Sequence, residues 1–262
     1  MAIIERPMPE AAATRKPGIS EEEWELRVQL AACYRIFDFM GWTELIFNHI
    51  SLRVPGPETH LLINPFGLRY KEVTASNLVK IDLQGNIVGD SEWPVNRAGV
   101  IIHTAIHGAR HDVHAVMHTH TTAGSAVAGL ESGVDSNNFY ASQLWGQIRY
   151  HDFEGITLDP DEQERLIGDL GDQHVLVLRN HGLLSTGATL PAAFLRLWTI
   201  ERACEIQVAT MSTGVAPRVV SDHAHSRSSE DYLATLATPT AGLRAFEALQ
   251  RQVDEIDDSY RY

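Results

Sequence analysis

The first helix is the clearest prediction of the hydrophobic pattern. Apolar residues from Trp24 to Met40 recur at the spacing of one helical face and end at Gly41. Ser20, followed three residues later by Glu23, has the arrangement of a capping box, which typically begins a helix. We therefore expect an amphipathic helix to open the folded part of the chain.

Farther along the chain, runs with a period of two alternate with runs of helical period. "HISLRV" and "HLLINP" predict a hairpin, and "LVKIDLQGNIVG" predicts another short strand pair. The pattern also predicts helix over 96–109, strand over 114–119, helix from Thr121 to about Leu130, buried strand over 174–180, a short strand in "HGLLSTG", helix over 190–212, loop over 215–229 and helix over 230–257. Helices alternating with hairpins favour an α/β or α+β sandwich over a barrel.

The composition and the distribution of periodic segments predict one principal domain. The chain of 262 residues is 44% hydrophobic and 21% charged, which is typical of a globular protein with a sizeable core. Residues 1–18 lack periodicity and contain three prolines, so we expect a mobile tail there. We expect the domain itself over 19–215, and a C-terminal loop and helix over 216–262 that pack on it or on a neighbouring subunit.

Charge and hydropathy exclude several classes of partner. A net charge of −13 and a pI near 5.4 argue against nucleic acid or a membrane surface as the main partner, because both attract clustered Lys and Arg. No segment offers the roughly 20 apolar residues that a membrane span needs, so a cytoplasmic location is expected. Cys33 and Cys204 both lie in apolar helical patterns, which predicts two small core residues rather than a disulfide.

Two histidines in "VMHTHTTAG" point to a metal. On a strand, His118 and His120 project from the same side while Thr119 points away. A catalytic divalent site usually takes three protein ligands and keeps one position open, and His181 in "RNHGLL", at the end of the predicted strand 174–180, is the best third ligand. On spacing alone, a pair of hydrogen-bonded surface histidines is the commoner arrangement, and that alternative stays open at this point.

Other histidine pairs fit a metal less well. His103 and His107 are four residues apart on a predicted helix, but "HTAIH" lacks the glutamate of the H-E-x-x-H motif, so we expect interior or surface histidines. "HAH" at 223–225 falls in a predicted loop, where no rigid element would aim the side chains.

The segments "HDVHAVMHTHTTAGSAV" and "LVLRNHGLLSTG" resemble the class II aldolase and adducin family. The resemblance extends over roughly residues 20–215 and is closer to the adducin head domain than to the sugar-phosphate aldolases. It implies a three-layer α/β/α sandwich with a largely antiparallel sheet, usually in a homotetramer whose metal sites lie near subunit boundaries. It also implies that His118, His120 and His181 bind zinc or a similar divalent ion, with manganese, cobalt or nickel as alternatives.

In the aldolases of this family, the metal polarises substrate oxygens and a separate carboxylate transfers the proton. Counting back from His118 without gaps places that carboxylate at Gly99, which has no side chain to titrate. Glu92 is the nearest acid upstream and is a candidate catalytic residue, although a solvated loop acid is the more common role. Tyr140 stands near the position of a tyrosine in the aldolases, and is a second candidate beside a core or interface role.

The phosphate-binding pattern of the aldolases is also altered. Its Gly-Asn-Ile-Ser segment corresponds to "NHIS" at 48–51, its paired serines fall on Arg97 and Ala98, and Gly67 alone of the turn matches. Asn48, His49, Gly67 and Arg97 are therefore candidate substrate-binding residues, and a sugar phosphate is a doubtful substrate. Arg97 at a helix N-terminus could grip a carboxylate, or could pair with a structural acid.

Two functions follow as hypotheses. The first is a metal-dependent lyase that cleaves or decarboxylates a small oxo or hydroxy acid through a metal-stabilised enolate. The second is a non-catalytic, adducin-head-like oligomeric module that binds other proteins, which Gly99 favours.

Overall fold

A computed structural model describes residues 15, 17–155 and 160–262. Most of the predicted tail lies outside the described residues. The helices are α1 (Glu21–Met40), α2 (Arg97–Ala109), α3 (Thr122–Ala128), α4 (Phe139–Gln143), α5 (Pro160–Leu170), α6 (Leu190–Ser212), α7 (Asp222–Leu236) and α8 (Leu243–Ile256). The strands are β1 (Ile50–Val54), β2 (His60–Ile63), β3 (Val79–Ile81), β4 (Ala115–Thr119), β5 (Ile148–His151), β6 (Val175–Leu178) and β7 (Gly182–Gly187).

The seven described strands form one sheet in the order β3-β2-β1-β4-β7-β6-β5. Every neighbouring pair is antiparallel except β5 and β6, which run parallel. The prediction of an α/β sandwich around a largely antiparallel sheet is therefore confirmed. β4 lies at the centre of the sheet, between β1 and β7, so its side chains are covered on both faces.

Helices cover the sheet on both sides and bury different residues of the same strand. On one side, Ala115 and Met117 of β4 join the core formed with α1, α6 and α8. On the other side, Val116 packs with Ile102 and Ile106 of α2 and with residues of α5. Because side chains alternate along a strand, this packing fixes which side each later residue of β4 faces.

The first helix begins as its sequence predicts, although only half of the capping box forms. The Ser20 hydroxyl accepts a hydrogen bond from the backbone N–H of Glu23, and Gly41 ends the helix in the left-handed conformation with φ of 73°. The Glu23 carboxylate does not return to the Ser20 backbone; it is buried and accepts from Arg27 and Lys80. The reciprocal half is lost because two cations compete for that carboxylate.

The predicted loop over 215–229 is wrong in its second half, because α7 begins at Asp222 after the cap at Ser221. Its buried positions, His225, Ser229, Tyr232 and Leu236, have helical spacing. Two of them are polar, so no apolar periodicity marks the helix in the sequence. The predicted single helix over 230–257 is divided between α7 and α8 by the segment "TPTAG" at 238–242.

The two cysteines lie where the sequence predicts them. Cys33 and Cys204 are fully buried in the same core cluster, and both are free thiols. Within the described part of the chain, no helix has the length and apolar character required to cross a bilayer.

Candidate metal centre and its cavity

The strand β4 and the turn after it present the first two imidazoles. His118 faces the same side as Val116, toward α2, and is buried. His120 follows the strand and is partly exposed. Thr121 then caps α3, as predicted, by accepting from the backbone N–H of Gly124.

The third imidazole comes from the turn between β6 and β7. Asn180 adopts a positive φ of 55°, and its N–H donates to the carbonyl of Ala128, which ties this turn to the end of α3. At Gly182 a Cβ would lie 2.2 Å from the carbonyl oxygen of Thr119. The glycine is therefore required by the close approach of the two segments, and that approach brings His181 beside His118.

The ring nitrogens of these three side chains converge. His118 Nε2 lies 2.7 Å from His120 Nε2 and 3.3 Å from His181 Nε2, and one ligand atom from each residue falls within 4.8 Å of the others. With metal–nitrogen bonds of about 2.0–2.1 Å in tetrahedral geometry, two ligand nitrogens lie about 3.3 Å apart. The residues fit a divalent ion, with one separation shorter than ideal.

Protonation also suits a metal. His118 Nδ1 lies 2.8 Å from the carbonyl oxygen of Leu183, which can only accept, so Nδ1 carries the proton and Nε2 keeps its lone pair. Burial, reinforced by the neighbouring imidazoles, holds the pKa of His118 well below its usual value. The same causes lower the pKa of His181 to about 4, and burial lowers that of His120. All three rings are therefore neutral near pH 7, as metal ligands must be.

A buried carboxylate holds this segment from the other side of the sheet. Glu201 of α6 is fully buried and accepts hydrogen bonds from the hydroxyls of Thr119 and Thr121, the two residues that flank His120. Burial raises the pKa of Glu201 to about 7. Sequence reasoning missed this residue, since it lies some 80 positions from its partners.

The three imidazoles line a cavity of about 430 Å³. Its other described lining residues are Phe47, Asn48, His49, Phe66, Asn96, Ala98, Gly99, Ile102, Phe153 and Gly155. Asn48 and His49 are both buried, and Asn48 Oδ1 and His49 Nε2 have no hydrogen-bond partner among the described residues. Asn48 also adopts a positive φ of 68°, an uncommon conformation that often marks a functional position.

The ring of His49 explains why position 99 has no side chain. A Cβ at Gly99 would lie 2.3 Å from His49 Nδ1 and 2.5 Å from Cε1, so the ring of His49 would have to move to admit it. The imidazole of His49, which directly precedes β1, thus fills the space beside the helix position that the family resemblance gives to the carboxylate. Burial, with a smaller contribution from His120, lowers the pKa of His49 to about 3.

The remaining predicted residues do not line this cavity. Glu92 and Gly67 are exposed in loops, and Arg97 is exposed at the first position of α2. Tyr140 lies on α4, where its ring packs edge-on against Trp198 at 5.2 Å between centroids. The structure therefore brings together the three histidines with Asn48 and His49, and these four residues are not among the described residues that line the cavity.

His103 and His107 form a separate buried group, consistent with the interior alternative. The Ser51 hydroxyl lies 2.6 Å from His103 Nδ1 and 2.8 Å from His107 Nε2, so it donates to one ring and accepts from the other. His225, from the "HAH" segment, is buried on α7 and lies 3.1 Å from the hydroxyl of Ser142. Neither pair joins the metal centre.

Comparisons with known proteins agree with this architecture. The sequence profile described as Class II Aldolase and Adducin N-terminal domain matches residues 28–208. A crystal structure of an aldolase II superfamily protein from Pseudomonas syringae is 44% identical, with a TM-score of 0.90 and coverage of 94% of this chain and 98% of that one. The L-fuculose 1-phosphate aldolase of Glaciozyma antarctica is 25% identical, with a TM-score of 0.81 over 96% of this chain and 99% of that one.

Similarity also extends to the adducins. Alpha-adducin of Rattus norvegicus is 46% identical over 195 residues, which are 73% of this chain and 26% of that protein. Since the family profile covers more than half of the chain and the fold agrees, the chain belongs to the class II aldolase and adducin family.

Proposed function

We propose that the protein is a divalent-metal-dependent lyase that cleaves or decarboxylates a small oxo or hydroxy acid. The observation that carries the proposal is the convergence of three neutral imidazoles, from two distant segments, on one cavity of about 430 Å³. Class II aldolases are generally dependent on a divalent metal, often zinc. Neutral imidazole ligands also suit zinc, with manganese, cobalt or nickel as alternatives.

The residues at the cavity have three different roles in this proposal. His118, His120 and His181 would hold the ion, which when bound withdraws charge from a substrate oxygen and so favours an enolate. The unpartnered Asn48 Oδ1 and His49 Nε2 are placed to hydrogen-bond the substrate and to replace water around it. In this proposal the Glu201 carboxylate fixes the strand end through Thr119 and Thr121.

The proton carrier is not supplied by position 99. Glu92 and Tyr140 are kept as proposed carriers, and Gly67 and Arg97 as proposed substrate contacts. Because none of the four lines the cavity within one chain, such roles would require a neighbouring copy or a movement of the loop. We propose a homotetramer and a cytoplasmic location, following the family resemblance.

Metal analysis of the purified protein tests the proposal. Mass spectrometry of the metal content should find close to one divalent ion per chain, and His118→Ala or His181→Ala should lose it. His223→Ala, an exposed histidine on α7, is the matched control and should keep it. A screen of 2-oxo and 3-hydroxy acids, scored for release of pyruvate, aldehyde or carbon dioxide, then tests turnover. A native protein free of metal would remove the basis of the proposal.

The second candidate is a protein-binding oligomeric module similar to the adducin head. It is favoured by the absence of a titratable side chain at Gly99 and by the identity with alpha-adducin. If the protein binds metal but turns over none of the screened acids, this second function would be favoured over the lyase.

A further inference from the structure

The cavity beside the metal centre has two kinds of wall. On one side the three imidazoles offer ring nitrogens to an ion, and Asn48 Oδ1 and His49 Nε2 have no internal partner among the described residues. Much of the remaining wall is aromatic, because Phe47, Phe66 and Phe153 line the same cavity. A ligand that satisfies both walls must carry a polar end and an apolar end.

The aromatic wall is only partly covered. Phe47 and Phe66 lie with ring centroids 6.3 Å apart at an angle of 48°, within the range of favourable aromatic contacts. Phe47 is 43% exposed and Phe153 is 55% exposed. Exposed aromatic surface is unfavourable in water, so an apolar ligand group that covered these rings would be stabilised by the area removed from water.

The charges around the cavity disfavour a phosphorylated ligand. Among the described lining residues there is no Lys, Arg, Asp or Glu. The adjoining groove, which shares His181 and Phe153 with the cavity, contains Asp152, Glu154 and Glu162. Its one arginine, Arg179, lies 3.5 Å from Asp152 and stacks on the ring of Tyr150 at 4.6 Å. Beside the phenylalanines, a phosphate dianion would lose water without meeting an unpaired Lys or Arg among the described lining residues.

On this basis, and resting on the proposed function, we propose that the substrate is an oxo or hydroxy acid with an aryl or similarly bulky apolar group. Its carboxylate and oxo oxygens match the imidazole-held ion and a proton on His49 Nε2, while a hydroxyl group would donate to Asn48 Oδ1. Its apolar group packs against Phe47, Phe66 and Phe153. These three phenylalanines then determine specificity, and a phosphorylated sugar is rejected.

Calorimetric titration of the metal-loaded protein with three acids tests this proposal. Phenylpyruvate should bind roughly tenfold or more tightly than pyruvate, because of the extra apolar surface that is buried. Phosphoglycolate, which carries a dianion in place of the ring, should bind more weakly than phenylpyruvate. Phe153→Ala and Phe66→Ala should remove most of the advantage of phenylpyruvate and leave pyruvate affinity and metal content within about twofold.

Phe39→Ala is the control, since Phe39 is also half exposed but lies on α1 beside a different groove. Phe153 is exposed, so its replacement should not disturb folding, which leaves the test intact if Phe66→Ala is unstable. Equal affinity for phenylpyruvate and pyruvate, or tighter binding of phosphoglycolate, would overturn the proposal. So would a Phe153→Ala protein that changes its oligomeric mass in light scattering while binding phenylpyruvate as before, because the ring would then belong to an interface.

Failure of the proposed function has a different signature. If no metal is bound, or if His118→Ala binds both acids as the unchanged protein does, the metal-dependent lyase is excluded and the substrate proposal is overturned with it. If pyruvate binding depends on the metal but the phenyl group adds nothing, only the substrate proposal fails.

Discussion

The imidazole of His49 lies so close to Gly99 that a Cβ built at position 99 would be 2.3 Å from Nδ1. The two positions are therefore coupled, because a side chain at 99 requires the ring at 49 to leave its place. Because Gly99 lies on α2 and His49 precedes β1, the coupling joins the helix to the sheet at the edge of the cavity.

Gly99→Ala tests this coupling. We expect it to lower the free energy of unfolding by about 1–3 kcal/mol, since the new methyl group must displace the ring. Gly108→Ala on the same helix is the matched control, because its Cβ would meet Leu83 at an ordinary 3.9 Å. That substitution should be neutral or stabilising by up to about 1 kcal/mol. Urea denaturation measures both.

The double variant separates a clash from a general helix effect. His49→Ala removes the ring, so Gly99→Ala should cost much less when it is combined with His49→Ala than alone. If the loss of stability in the double variant equalled the sum of the losses in the two single variants, His49 would not restrict position 99.

Glu201 should control metal affinity without touching the metal. Replacing Glu201 by Ala frees the hydroxyls of Thr119 and Thr121, so the segment that carries His120 loses its anchor. We expect the affinity for zinc to fall by roughly tenfold or more. Competition with a chromogenic chelator measures the change, and Glu201→Gln, which keeps one acceptor oxygen, should lie between.

Glu205→Ala is the control for that experiment. Glu205 lies one turn farther along α6 and pairs with Arg202 at the partly exposed surface. It should leave zinc affinity unchanged. Equal losses in the Glu201 and Glu205 variants would indicate a general weakening of α6 instead of an anchor.

Removal of the metal should destabilise the fold. An ion that binds only the native state adds about 2.7 kcal/mol when its free concentration is a hundred times Kd. For a chain of 262 residues, a chelator should then lower Tm by roughly 5–10 °C. His118→Ala should melt at the same temperature with and without chelator, and a chelator effect that persisted in this variant would place the ion elsewhere.

Acid should destabilise the protein through His107. Burial is the main cause that lowers the pKa of His107 to about 3, with a further contribution from Arg53. Below about pH 6.5 the imidazole of His107 is protonated in the unfolded chain but stays neutral in the folded protein, so stability falls as pH falls. Between pH 6.5 and 5 this one residue should cost about 2 kcal/mol.

His107→Gln removes that titration and retains a polar group beside Ser51. Urea denaturation at pH 7 and pH 5 should show a smaller loss of stability on acidification in this variant, by about 2 kcal/mol. His111→Gln, at an exposed position, should behave as the unchanged protein. The same acid loss in all three proteins would contradict the expectation.

The histidines of the metal centre can be predicted from local sequence patterns, whereas the residues around them cannot. The period of two places His118 and His120 on one side of β4, and the helix cap at Thr121 follows from the pattern alone. The contact between His49 and Gly99 and the anchor at Glu201 depend on how distant elements pack, which no local pattern encodes. Three phenylalanines from three separate segments meet at the cavity for the same reason, and the sequence marks none of them.

Helix α7 shows a different limit of prediction from hydrophobic periodicity. Its buried positions have regular helical spacing, but His225 and Ser229 are polar residues that find partners in Ser142 and Gln147. Hydrophobic periodicity cannot detect a face that is buried through hydrogen bonds. Only Ser221, which caps the helix, was available as a local signal.

The alternation along β4 also makes the length of this segment critical. Deleting one residue ahead of His118 would exchange the two sides of the strand, turning the imidazoles toward Glu201 and the threonine hydroxyl toward the cavity. A deletion of two residues would restore the facing but move both groups by nearly 7 Å along the strand. Point substitutions here should therefore have graded effects, whereas insertions and deletions should abolish ion site and anchor in a single step.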